Sequence, residues 1–172
     1  MTATGDKAGE TGNDVAELAG AGAGCDAPGR DAVTREVCRG VGRLLRAHSF
    51  AVVNELVLPN GRRADVVALS PGGDIWIVEV KSCLDDLRVD TKWPEYRDYS
   101  DALFFAVAPG FPDGLLPTDT GLIFADRYGG EIVREAPATR LAGARRKAMT
   151  LRFARAAAFT LQMLADPGAK GA

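Results

Sequence analysis

The sequence predicts an α/β sandwich, a mixed sheet flanked by helices, in the order α-β-β-β-α-β followed by a hairpin and a closing helix. Three observations lead there. Short apolar runs such as "VVAL" and "IWIV" are continuous rather than alternating, as in strands covered on both faces. Two turn signals, "PNG" and "SPGGD", join the first three runs closely enough for hairpins. The stretch from Ser82 to Asp101 then separates the third run from a fourth, "ALFFAVA", which leaves room for a helical crossover between parallel strands.

Taken in order, residues 1–30 are rich in Gly, Ala and acids and hold almost no large apolar side chains. They cannot bury enough surface to offset the entropy of ordering, so a disordered tail is expected. Residues 31–50 read as a helix, with Val33, Val37, Val41, Leu44 and Leu45 near helical spacing. Gly40 and Gly42 either weaken that helix or mark close packing against a sheet. Strands are expected over 51–58, 62–69 and 75–81. In the first turn Pro59 suits the leading position and Gly61 the left-handed one. Ser82, with Asp85 three residues on, resembles a capping box that opens a helix. Pro94 splits the region into two helical pieces. A fourth strand covers 102–108, and strands 121–126 and 131–135 form a hairpin around "RYGG". Residues 139–164 are an Ala-rich helix, and 166–172 are expected to be a flexible end.

Composition excludes several classes. The 172 residues suffice for one domain with a sizeable core, placed at 31–165. No apolar run approaches the ~20 residues that span a bilayer, and the polar start "MTATGDKAGE" is no secretory signal. No membrane partner is therefore expected. Three cysteines without C-x-x-C spacing suggest reduced thiols of a cytoplasmic chain and no zinc site. His48 is the lone histidine, which removes multi-His metal schemes; it falls where the first helix ends, as a cap or surface residue. The net charge of −2 gives no overall attraction to nucleic acid. Residues 1–30 carry five acids and two bases, a net of −3, which leaves +1 for the remainder.

Turn geometry places the acids. If Leu69 faces Ile75 across the second turn, Asp65 faces Glu79. If Leu58 faces Arg62 across the first, Glu55 faces Asp65. Opposed residues share a face, with Cβ atoms about 5 Å apart, and Lys81 lies on that face two residues past Glu79. Three carboxylates then meet beside one lysine. Like charges directly opposite destabilise a sheet, and an unpaired buried carboxylate costs several kcal/mol. A divalent cation, Mg²⁺ or Mn²⁺, would relieve both, held by Asp65, Glu79, the carbonyl of Val80 and Glu55 directly or through water. Such an ion clamps phosphate oxygens and activates water. Lys81 would orient or deprotonate that water, or stabilise the developing charge. Asp65, Glu79, Lys81 and Glu55 thus form a candidate phosphodiester-hydrolysing site. The bland alternative is a buried Glu–Lys pair, or a strand end whose charges reach solvent.

Candidate DNA contacts lie around it. Arg63 faces Lys81 in the same register. Lys92 and Tyr96 share a face if helical spacing survives Pro94, and both residue types contact phosphates. Trp93 between them reads as core in preference to a base-stacking ring. Arg145, Arg152 and Arg155 form a stripe on the closing helix, either a phosphate track or a solvated face. That helix is apolar around much of its circumference, so it is expected to pack on the sheet and against a second copy in a homodimer. Asp85, Asp86 and Asp90 read as acids favoured by a helix dipole.

"AD" at 64–65, thirteen residues, then "EVK" at 79–81 resembles the PD-(D/E)xK nuclease superfamily. The longer run "RRADVVAL…GDIWIVEVKSCLDDLRVDTKWPEY…AVAPGFP…LLP…GLIFADRYG…EIVRE" is similar to the MmcB family of bacterial DNA-repair proteins, over about 31–165. The resemblance implies a restriction-endonuclease-like αβββαβ core and a DNA-repair role linked to damage such as crosslinks; together with the candidate metal site, a Mg²⁺-dependent endonuclease acting on damaged or branched DNA is expected. DNA, further repair proteins and a nucleoid-associated place in the cytoplasm follow from it. The superfamily's Asp, Glu and Lys correspond to Asp65, Glu79 and Lys81, and Glu36 is the candidate for the acid its first helix often adds. Ala64 replaces the Pro of the short motif without touching a ligand. Some superfamily members bind without cutting, so the alternative is a non-catalytic DNA- or protein-binding module.

Overall fold

A computed structural model describes residues 29–168. Its elements are α1 (Arg30–Ala47), β1 (Ala51–Val57), β2 (Arg63–Leu69), β3 (Ile75–Lys81), α2 (Leu84–Val89), β4 (Ala102–Val107), β5 (Gly121–Ala125), β6 (Gly130–Arg134) and α3 (Gly143–Ala165), with short 3₁₀ turns at Trp93–Tyr99 and Asp113–Leu115. The six strands form one sheet in sequence order. β1–β2, β2–β3 and β5–β6 pair antiparallel, whereas β3–β4 and β4–β5 pair parallel. This is the mixed sheet that the sequence predicts, with αβββαβ at its core.

Turn chemistry sets the register. Leu58 N–H donates to the Arg62 carbonyl at 2.7 Å, and Gly61 takes the left-handed φ of 80°. Val57 pairs with Arg63 and Ala51 with Leu69. Across the second turn Leu69 pairs with Ile75, as the loop length predicts.

The sheet is covered on both faces. Val37, Val41 and Leu45 are fully buried along one stripe of α1, against Val66, Val78, Phe104 and Ile123. The opposite face packs Val67, Ile77 and Leu103 against Tyr96 and against Met149 and Phe153 of α3. Gly40 packs closely, though on the β5–β6 turn and not on the sheet: a Cβ there would lie 2.0 Å from the Asp126 carbonyl oxygen. His48 ends α1 as its C-cap, its backbone N–H donating to the Leu44 carbonyl at 3.1 Å.

Several expectations change. α2 starts at Leu84 with Cys83 at the N-cap, one residue later than the start expected from Ser82. α3 starts at Gly143, four residues later than expected. Asp101, which is nearly fully buried, holds the chain before it: Thr139 N–H donates to its carbonyl at 2.7 Å and Leu141 N–H to its carboxylate at 3.0 Å. The same carboxylate accepts the Ile75 N–H and pairs with Arg146. Cys38 is a free thiol, and Cys25 lies outside the described residues. The expected disordered tail lies outside the described residues except for Gly29 and Arg30, where Arg30 already opens α1; residues 169–172 of the expected flexible end lie outside too. No helix among the described residues is long and apolar enough to cross a membrane.

Candidate functional site

The site forms where two paired strands part. The β2–β3 ladder ends at Val66 and Val78, after which β3 continues along β4 as far as Lys81. Asp65 and Glu79 come next in the β2–β3 register, and their side chains replace the missing backbone bonds. Asp65 N–H donates to Glu79 Oε1 at 3.3 Å, and Val80 N–H donates to Asp65 Oδ2 at 2.9 Å. The two acids are therefore locked reciprocally across the fork.

Burial makes this pair unusual. Glu79 is 4% exposed. Desolvation, reinforced by Asp65, pushes its pKa up to about 8. Asp65 is also raised by burial, partly offset by the bond from Val80. The Cys38 thiol is pushed up to about 11 by burial and then by Asp65, Glu55 and Glu79, which puts one flank of α1 beside the acids. Tyr96 is raised too, by burial and then by Glu79.

Lys81 is buried next to the pair, but its ammonium bonds Asp90 and lies 5.9 Å from the centre of the Phe105 ring. Burial alone would raise the Asp90 carboxyl, yet the bonds from Lys81 and from Lys92 N–H hold it below the usual range.

The remaining candidates are not gathered here. Glu55 takes a left-handed φ of 54°, which interrupts the β1–β2 ladder at its place opposite Asp65. Its carboxylate points outward, 68% exposed, with Arg63 3.7 Å away. The expected row of three converging carboxylates is therefore a pair. Glu36 lies 3.8 Å from Arg127, on the side of α1 next to the β5–β6 turn. Val80 meets Asp65 through its N–H. Lys92 is exposed, while Tyr96 is buried with its hydroxyl donating to the Arg63 carbonyl at 3.3 Å. Trp93 packs edge-on against Phe105 in the core. Arg145 bonds Asp98 at 3.1 Å and Arg152 bonds the Val57 carbonyl at 2.9 Å, so both have partners within the chain. Among the described residues no group of three or more His, Cys, Asp or Glu is placed to hold a metal ion.

Asp90 and Cys38 were not foreseen as neighbours of the acids. Asp90 is the C-cap of α2, and that short helix carries it back to Lys81, which the strand and helix periods do not signal. Cys38 follows the buried Val37 on α1, and a helical wheel would place it at the edge of the buried stripe, without naming what it faces.

A family model described as DNA repair protein MmcB-like matches residues 25–168. The solved structure of a protein of unknown function from Silicibacter pomeroyi superposes with a TM-score of 0.78 at 47% identity, over 81% of this chain and 95% of that one. No curated protein matches the chain.

Proposed function

The chain belongs to the MmcB-like family of DNA repair proteins, and from that premise we propose that the Asp65–Glu79 fork is the centre of a Mg²⁺-dependent DNA endonuclease of the PD-(D/E)xK type, acting on damaged or branched DNA. The observation that carries this reading is the pair of buried carboxylates locked to each other's strand, with Lys81 two residues on. A protein with no cation to bind has little reason to bury two acids together, since each raises the cost of ionising the other. Their donor set fits Mg²⁺ or Mn²⁺. Such ions take hard oxygens, keep several waters and need only one or two carboxylates. The backbone bonds occupy one oxygen of each acid, Glu79 Oε1 and Asp65 Oδ2. That leaves Glu79 Oε2 and Asp65 Oδ1 to hold the ion.

When bound, the ion would polarise a phosphate oxygen and lower the pKa of a water. The chain's own residues supply the rest. The two N–H bonds fix both carboxylates and exclude alternative rotamers. Phe105 and Tyr96 limit water around Glu79 and Lys81. Lys81 brings a positive charge to the developing negative charge on phosphate, once phosphate replaces Asp90 as its partner.

That same Lys81–Asp90 pair favours a second reading, a non-catalytic module in which the lysine is structural and the scaffold binds DNA or another repair protein. Its third acid is lacking as well. For the assembly, the exposed end of α3 and the edge strand β1 suit a second copy of the chain.

The test is cutting. Purified protein is incubated with labelled flapped, branched and crosslinked DNA in Mg²⁺ or Mn²⁺. Wild-type cleavage that falls by at least about 10²-fold in Glu79→Gln and in Lys81→Ala supports the nuclease. Absence of metal-dependent cutting on every substrate, with DNA binding intact, establishes the second reading.

A further inference from the structure

The outward face of α1 carries Arg35, Arg39, Arg43 and Arg46. Steps of four, four and three residues place them in one helical stripe. It covers twelve residues, with ~16 Å of helix axis between Arg35 and Arg46. All four are exposed, whereas Val37, Val41 and Leu45 on the opposite side are fully buried. Among the described residues none of the four forms an ion pair. This sets them apart from Arg62, Arg97, Arg145 and Arg146, which all face carboxylates. Glu36, the acid beside the stripe, faces Arg127, and Asp31 stands one turn before Arg35 without pairing to it. The Arg43 guanidinium donates to the Tyr128 carbonyl at 3.2 Å, which steadies the stripe at its middle.

The stripe has a shape as well as a charge. Arg39, Arg43 and Arg46 border a groove of about 440 Å³ whose other wall is Phe50, Val52 and Asn54. The groove therefore runs to the β1 residue just before Glu55. On the flank of α1 that faces the acids, Cys38 feels Asp65, Glu55 and Glu79. Single-strand binders need exposed aromatic rings on which bases stack. The groove offers only Phe50, and that ring packs on Trp76 with centroids 4.4 Å apart. A duplex needs no such platform. It presents a phosphate charge every ~1.7 Å of axis, to which guanidiniums bond in bidentate fashion.

We propose that the arginine face of α1 is the duplex-DNA contact of this protein, with Arg39, Arg43 and Arg46 on phosphate oxygens and Arg35 extending the track. The duplex lies along α1 and the groove that its arginines share with Phe50, Val52 and Asn54. The assignment rests on reading the Asp65–Glu79 fork as a DNA site. It moves the DNA path away from α3, where Arg145 is paired with the Asp98 carboxylate.

Salt dependence counts the contacts, because each phosphate neutralised adds about −0.9 to the slope of log K against log[salt]. Binding of a fluorescein-labelled duplex is followed by anisotropy in Ca²⁺, which supports association without cutting, across a NaCl series. In the triple variant Arg39→Gln, Arg43→Gln, Arg46→Gln the slope is expected to shallow by about 2.7, with affinity at least roughly tenfold weaker near 0.1 M salt. The Lys triple at the same positions keeps the charge and should restore most of the slope. Arg145→Gln, Lys147→Gln, Arg152→Gln removes the same charge from α3 and should change the slope by less than one contact. Equal losses in the two Gln triples, a wild-type slope in the α1 triple, or tighter binding of single strands than of duplex would overturn the proposal. Circular dichroism melts confirm that the surface variants are folded. The outcomes separate from those for the nuclease reading. If no protein cuts but the α1 triple alone loses binding, the stripe stands and the nuclease falls. If wild type cuts and the α1 triple binds and cuts equally well, the stripe falls and the nuclease stands.

Discussion

Glu79 sits at a point where folding and chemistry pull against each other. Burial first, then Asp65, raise its carboxyl from an ordinary 4.5 to about 8. Between those values the folded chain keeps a proton that the unfolded chain has released. The folded state is thus the better proton binder, and stability falls as pH rises through the window, by at most about 1.4 kcal/mol per pH unit. Glu79→Gln keeps the shape of the neutral acid and removes the titration. In EDTA, wild-type Tm is expected to drop more steeply than that of Glu79→Gln between about pH 5 and pH 8. Parallel curves would show that Glu79 titrates normally. A cation at the pair favours the ionised form, so stabilisation by Mg²⁺ should increase over the same range.

At the scale of elements, what could be read from the chain is what local chemistry decides. "PNG" and "SPGG" specify two hairpins, the hairpins specify the register, and the register puts Asp65 next to Glu79. Continuous apolar runs mark the central strands for the same reason. What could not be read depends on distant neighbours. The left-handed turn at Glu55, which takes its carboxylate out of the row, is not favoured by its residue type. The start of α3 is set by Asp101, some forty residues earlier, and the partner of Lys81 by where the short helix α2 ends. The two helix glycines show the contrast best. Ala is the better helix former by ~1 kcal/mol, so sequence alone treats Gly40 and Gly42 alike. A Cβ at Gly42 meets nothing within 4 Å, whereas one at Gly40 would lie 2.0 Å from the Asp126 carbonyl oxygen and 2.4 Å from that of Gly129. That turn cannot easily yield, since the Asp126 side chain accepts the N–H groups of Tyr128 and Gly129. Gly42→Ala is expected to stabilise the protein by roughly 0.5–1 kcal/mol and Gly40→Ala to destabilise it by about 1–3 kcal/mol. Urea denaturation measures both, and two changes of the same sign would mean that α1 does not seat on the β5–β6 turn.

At the scale of the molecule, α1 and α3 cover opposite faces of the sheet, but only α1 is used up by the covering. α3 is ~35 Å long, and Met149 and Phe153 are its buried residues. The same stripe continues through Thr160 to Met163 and Leu164, which are 67% and 74% exposed. Leu151, Phe159 and Leu161 are also more than half exposed. Beside them β1 is an edge strand, and a groove of about 590 Å³ between the two is lined by Val53, Leu56, Val57, Leu151 and Phe159. These side chains offer on the order of 600 Å² of apolar surface, at or above the largest patch of a typical monomer and near the ~800 Å² that each partner gives to a standard interface. A second copy fits the groove better than a partner of one charge, because Glu55 and Arg155 both line it. In a two-fold dimer through this groove, Glu55 of one copy would be able to face Arg155 of the other. Light scattering on a sizing column should find a dimer at micromolar concentration. Phe159→Glu with Leu164→Glu, both on exposed positions, should give a monomer with an unchanged circular dichroism spectrum. A wild-type monomer at about 100 µM would reject the assembly, whereas a dimer that survives both substitutions would place its interface elsewhere. The arginine face of α1 lies across the sheet from α3, so the monomeric variant should keep its affinity for a short duplex. Concurrent loss of dimer and of binding would mean that the DNA path crosses the two-fold axis.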